Sequence, residues 1–201
     1  MFKLILPIGL LMLAFGIYNA LTLPAKIEIY RIAFLHIPSA ITSYLAFTVS
    51  FFYSISYLRS GDLKKDAMAN ISAKFGFIMI AIAFLSGAIW AKETWGAYFT
   101  WYEIREVIVL LMLFVYAIYF SLRNLVEVDK ARISAIYLII AYLTVPLSYF
   151  AAFFSPLHPR PFEVELSAEW RFNLFLMMVA FFLLYASYVL RESEKLKPKS
   201  S

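Results

Sequence analysis

A chain of 201 residues in which 63% are apolar and only 15% are charged departs from the composition of soluble globules, where apolar usage runs nearer half. Its net charge of +5 calls for no nucleic acid, because the lysines and arginines gather in short connectors between apolar blocks. There is no cysteine, which excludes disulfide staples, thiol relays and cysteine ligands.

Crossing roughly 30 Å of hydrocarbon takes about 20 apolar residues, and six blocks reach or approach that length. The first, Leu4–Thr22, follows Lys3 as the core of a signal peptide would. It closes on Ile17-Tyr18-Asn19-Ala20 without a small-x-small cleavage pattern, and so reads as a retained helix. Pro7 falls in its first turns, where a missing donor is tolerated. The second block, Ile32–Leu58, has 27 residues, about 40 Å as a helix. It must tilt or project above the hydrocarbon, and Pro38 offers a natural break. Phe75–Ala91 and Val107–Leu122 follow. The fifth block, Ile133–Phe154, contains Pro146, which should bend it by removing a backbone donor. Phe172–Leu190 is the last, ahead of a charged tail, Glu192–Ser201.

In lipid each backbone group must be satisfied within its own segment, so these blocks are helices. The fold class expected is an all-α integral membrane protein of six transmembrane helices. Residues 1–201 form a single domain, since no repeat or linker interrupts them.

Twelve of the 18 basic residues fall on one side of that topology: Lys3, Arg59, Lys64, Lys65, Lys74, Arg123, Lys130, Arg132, Arg191, Lys195, Lys197 and Lys199. Lys26, Arg31, Lys92, Arg105, Arg160 and Arg171 fall on the other. Positive residues favour the cytoplasm, so both termini are expected inside a cytoplasmic cell membrane. The outer connectors are then Leu23–Arg31, Lys92–Glu106 and Ser155–Arg171.

The trimmed spans hold no Asp, Glu, Lys or Arg, which counts against an ion-coupled carrier, since such carriers need charge at depth. No phosphate-binding G-x-x-x-x-G-K-[ST] loop and no H-E-x-x-H motif occurs, and no nucleophile–base set assembles, so an enzyme is not expected.

What the topology collects is aromatic. His36 and His158, the only histidines, and all four tryptophans, Trp90, Trp95, Trp101 and Trp170, come to the outer face. An isolated interfacial His is commonly a hydrogen-bonding side chain, and His158 alone would read as a loop residue. Two outer imidazoles from separate segments, however, fit the axial ligation of a porphyrin iron from opposite faces. If the segment between them is helical, Trp95, Tyr98, Phe99 and Tyr102 form one stripe, with Trp101 at its border. Such a stripe serves either as an interfacial anchor or as a shelf for an apolar ring system, with Gly96 allowing close backbone approach. Glu103 and Glu106 would open the fourth helix and favour its dipole. Arg105 and Arg160 are loop charges or, as guanidinium forks, partners for carboxylates of a ligand.

The stretches YRIAFLHIPSA, SGAIWAKETWG running into YFTW, and the LH of SPLHP resemble the cytochrome c maturation protein C family, within the wider tryptophan-rich heme-handling group. The likeness runs from about Tyr30 to Leu190. It implies six helices and heme held non-covalently, as b-type heme, by two outward histidines, here His36 and His158. It also implies a tryptophan-rich motif at Trp90, Trp95, Gly96 and Trp101. Its implied partners are a membrane-tethered heme chaperone and the permease and ATPase subunits of an ABC transporter. The motif departs from the family's W-x-W-D: Phe99 replaces the middle Trp, and the acid comes one residue late, as Glu103, with Arg105 behind it. A permease-type subunit moving heme or another solute is the other function the resemblance allows.

Overall fold

The computed structural model describes residues 2–159 and 164–196. Among them the α-helices are α1 (Phe2–Thr22), α2 (Ala33–Ser60), α3 (Leu63–Trp95), α4 (Ile104–Leu125), α5 (Lys130–Ala141), α6 (Thr144–Phe154) and α7 (Ala168–Glu194). With α5 and α6 counted as one interrupted segment, six helical stretches are long and apolar enough to cross a membrane. The expected six-helix membrane fold is therefore the one formed.

Three boundaries differ from the hydropathy reading. The α-helix runs through Pro38 without a break. The irregularity sits ahead of it, as a 3₁₀ turn over Glu28–Ile32. Arg31 in that turn donates to the carbonyls of Ala20 (2.7 Å) and Leu23 (2.6 Å), satisfying the end of α1 with a cation.

Helix α3 starts roughly three turns before Phe75. Lys64, Lys65, Asp66 and Lys74 make this stretch read as a connector, yet its Ala69 and Ala73 are buried against α2. Burial of that small-residue face overrides the polar average. Gly61, at φ 68°, ends α2, and the side chain of Asp62 caps α3 by accepting from the Lys64 amide at 2.9 Å. The link between the two longest helices is thus only two residues.

The third difference is the fifth span, which breaks at Tyr142–Leu143. Pro146 has no N–H to offer the Tyr142 carbonyl, so the helix restarts there as α6. This is the bend expected of that proline.

The core lies among α2, α3, α4 and α5. Ala40, Ala73, Ala83 and Ala141 let helices approach, while Phe47 stacks on Tyr116 at 3.6 Å between ring centres. Tyr44 bonds Ser148 and Tyr185 bonds Ser72, each at 2.8 Å, between helices. Helix α1 lies on α7: a Cβ at Gly9 would stand 3.2 Å from Leu183, and one at Gly16 would collide with Met177. Asn173 donates to the Gly16 carbonyl at 3.1 Å across this seam.

A paired site at one end of the bundle

The start of α2, the end of α3, the start of α4 and the loop after α6 converge at one end of the bundle. His36 lies in the first turn of α2. Its Nδ1 is 2.9 Å from the Ala83 carbonyl and 3.3 Å from Ser86 Oγ. The carbonyl can only accept, so Nδ1 carries the proton and Nε2 keeps a free lone pair. Ser86 itself donates to the Ile82 carbonyl at 2.7 Å. Gly87 makes room for the ring: a Cβ there would stand 3.0 Å from His36 Cε1 and 3.3 Å from Nδ1.

His158 is held by its backbone. Its N–H is shared between Ser155 Oγ (2.9 Å) and Glu103 Oε2 (3.3 Å), and the same carboxylate oxygen accepts from the Leu157 amide at 3.2 Å. Glu103 Oε1 caps α4 by accepting from the Arg105 amide at 3.2 Å. Glu103 is fully buried, at 0% exposure. It therefore does more than favour a helix dipole: it ties the loop that carries His158 to the start of α4. The sequence offered one signal for this, an acid immediately ahead of an apolar helix, and gave no sign of its second partner.

The His158 ring meets two neighbours that ask for opposite tautomers. The Pro159 carbonyl, 2.8 Å from Nδ1, needs a proton there; Arg105 Nη1, at 3.1 Å, needs a lone pair. The shorter contact, to a group that only accepts, favours Nδ1–H. Burial first, then the charge of Arg105, pushes the His158 pKa down to about 3, so the ring is neutral across the ordinary range. Arg105, expected to face a ligand carboxylate, thus stands beside His158, where its charge rather than a donated hydrogen bond acts on the ring. Arg160 lies outside the described residues.

The two imidazole centres are 6.3 Å apart, with planes inclined by 39°. A metal bound by one nitrogen of each ring at about 2 Å would set the centres about 6 Å apart. Among the described residues no group of three or more His, Cys, Asp or Glu converges. The pair therefore suits a metal that brings its other ligands with it, as a porphyrin iron does.

The aromatic segment is not the helical stripe expected. Gly96, at φ 82°, ends α3, and residues 96–103 run as bends and turns to the cap of α4. A left-handed residue is where glycine carries no steric penalty, so the helix stops there. Two edge-to-face pairs form instead. Trp90 packs on Trp95 at 5.1 Å and lies 6.1 Å from His158; Phe99 packs on Trp101 at 5.0 Å. Tyr98, Trp101 and Tyr102 project outward at 61%, 76% and 87% exposure. Trp170 serves packing, 4.6 Å from Phe34, and donates to the Pro24 carbonyl at 2.8 Å.

The family described as cytochrome C assembly protein matches residues 2–159. Over 170 residues the chain is 28% identical to heme exporter protein C of Paracoccus denitrificans, covering 80% of this chain and 70% of that protein. It is 25% identical over 189 residues to heme exporter protein C of Bradyrhizobium diazoefficiens, covering 88% and 71%. Cytochrome c biogenesis protein CcsA of Pelargonium hortorum is 35% identical over 102 residues, half of this chain. The aligned stretch spans only about a third of that relative's length (32%).

Proposed function

The chain belongs to the cytochrome C assembly protein family, and we propose that it binds heme between His36 and His158 and hands it on during c-type cytochrome biogenesis. The observation that carries this reading is the 6.3 Å separation of two imidazoles drawn from α2 and the loop after α6. Heme, when bound, supplies the iron and its redox chemistry; the protein supplies position.

The chain's own residues divide that work. The Ala83 carbonyl fixes the His36 tautomer, so that Nε2 would be the nitrogen to hold the iron, and Gly87 leaves the ring its space. Glu103 and Ser155 hold the His158 backbone, and burial, then the charge of Arg105, keep its ring neutral. Without cysteine the attachment is non-covalent, as b-type heme. Trp90 and Trp95 wall the side next to His158. Arg105 is the guanidinium that would be left to pair with the propionates, and Arg160, outside the described residues, is the other one the sequence offers for them.

Hand-over demands a bond that exchanges. His36 sits on a rigid helix with one tautomer, whereas His158 sits on a loop between competing partners. Of the two residues that would hold the heme, His158 would be the one to yield. The recipient is a membrane-tethered heme chaperone, met through exposed Tyr98, Trp101 and Tyr102, with ABC-transporter permease and ATPase subunits as further partners. Both termini then lie on the cytoplasmic side of the cell membrane, and the histidine end faces out. Phe47, Ile80, Met112 and Tyr116, each at 0% exposure, fill the middle of the bundle, which favours binding at its end over passage between its helices.

The test is spectroscopic. Detergent-purified protein should take up heme with the sharp Soret and α bands of a low-spin bis-imidazole iron. A spectrum identical to free heme in the same detergent would overturn the reading.

A further inference from the structure

At the end of the bundle opposite the histidines, a cavity of about 430 Å³ opens between α3 and α4. Asn70, Lys74, Phe77 and Ile78 line it from α3, at spacings that share one helix face; Phe120, Arg123 and Asn124 line it from α4, and Tyr188 of α7 completes the rim. Its cations belong to the charged ends that flank the apolar spans, the level at which headgroups would lie. Arg123 is in the last turn of α4, and Lys74 lies about three turns from the start of the over-long α3.

The polar groups are unequally engaged. Arg123 is committed to Asp66 through two parallel bonds, at 2.8 and 2.6 Å, so its charge is matched. Tyr119 donates to Asn70 Oδ1 at 3.2 Å, which leaves the amide's own donors over. Lys74 has neither hydrogen bond nor ion pair among the described residues. The uncompensated charge of the cavity is therefore one cation, beside spare amide donors. Below them Phe77 and Phe120 meet edge-to-face at 5.4 Å and present an apolar wall.

We propose that this cavity is a site for an anionic phospholipid of the leaflet opposite the histidines, with its phosphate against Lys74 and its acyl chains along Phe77, Ile78 and Phe120. Cation, amide donors and aromatic wall follow one another in the order that headgroup and chains require. A basic pocket between membrane helices at headgroup level recognises charge of this kind.

The experiment is native mass spectrometry of the full chain in detergent, with equimolar phosphatidylglycerol and phosphatidylcholine of identical acyl chains. The unsubstituted protein should retain the anionic lipid over the neutral one by about fivefold, the size of effect one lysine has near an anionic surface. Lys74→Gln should bring the ratio close to one; Lys74 is exposed, so this change leaves the fold intact. Arg59→Gln removes the same charge from the same end but outside the cavity, and should leave the preference in place. Equal retention of both lipids by the unsubstituted protein, or equal loss of preference in the two variants, would overturn the proposal.

Discussion

His36 and His158 stand with ring centres 6.3 Å apart although one opens the second long helix and the other follows the sixth. Each ring has its own support: Ala83, Ser86 and Gly87 for His36, and Glu103, Ser155 and Arg105 for His158. Substitutions in either set therefore act on one ligand at a time.

Replacing either histidine by Ala should cut heme retention by more than the roughly tenfold loss that follows when only a ligand's supporting partner is changed. The spin state separates the two. His158→Ala leaves His36 in place and gives a five-coordinate high-spin spectrum, restored toward low spin by added imidazole. Failure of imidazole to rescue either variant would count against the ligand assignment.

Glu103→Ala should lower stability by roughly 1–3 kcal/mol, since it leaves half-buried backbone donors at the cap of α4 and in the His158 loop to water or to no acceptor. Glu103→Gln keeps one oxygen and should lose less. Thermal melting in detergent reports the stability. The heme spectrum should change in both variants, because the loop and its imidazole move together.

Gly87→Ala brings a methyl to 3.0 Å from His36 Cε1, tighter than ordinary packing, and the ring must shift by a few tenths of an ångström. Electron paramagnetic resonance of the oxidised heme complex should show altered g values with little loss of melting temperature. Gly87→Val should abolish low-spin ligation. Unchanged spectra in both would mean that His36 takes up its place differently.

The His158 pKa is depressed from 6.5 to about 3, chiefly by burial and then by Arg105. The folded chain thus binds its proton less readily than the unfolded one. This group contributes stability that is fully present above about pH 6.5 and is lost as pH falls toward 3. Arg105→Gln removes the second cause and should raise the pKa, while burial keeps it below 6.5. Titration of the imidazole resonances by nuclear magnetic resonance measures both. A His158 that titrates near 6.5 in the unsubstituted protein would refute the half-buried, neutral ring.

Hydropathy alone located all six crossings, because the thickness of hydrocarbon sets the length of each block whatever the details of packing. It stopped short at Leu63–Lys74, where four charged residues mask a helix held by Ala69 and Ala73. The two histidines were legible as a pair because topology delivers them to one face. The aromatic segment was not. Trp95, Tyr98, Phe99 and Tyr102 have helical spacing, yet the left-handed backbone at Gly96 ends the helix that would have aligned them. Glu103 was legible as a cap, but its bonds to Leu157 and His158 join residues from distant parts of the chain, and no local pattern announces such a contact. Ser86 and Gly87 lie within the stretch SGAIW that the family resemblance singles out, but their service to His36 appears only once α2 and α3 are packed.

The two-residue link between α2 and α3 sets an order of events during synthesis. Everything that orients His36 belongs to one hairpin, complete once the ribosome has passed Trp95. His158 and most of what steadies it are translated later. One half of the clamp is thus a finished jaw before its opposing jaw exists, and the second must close onto a seat already in place.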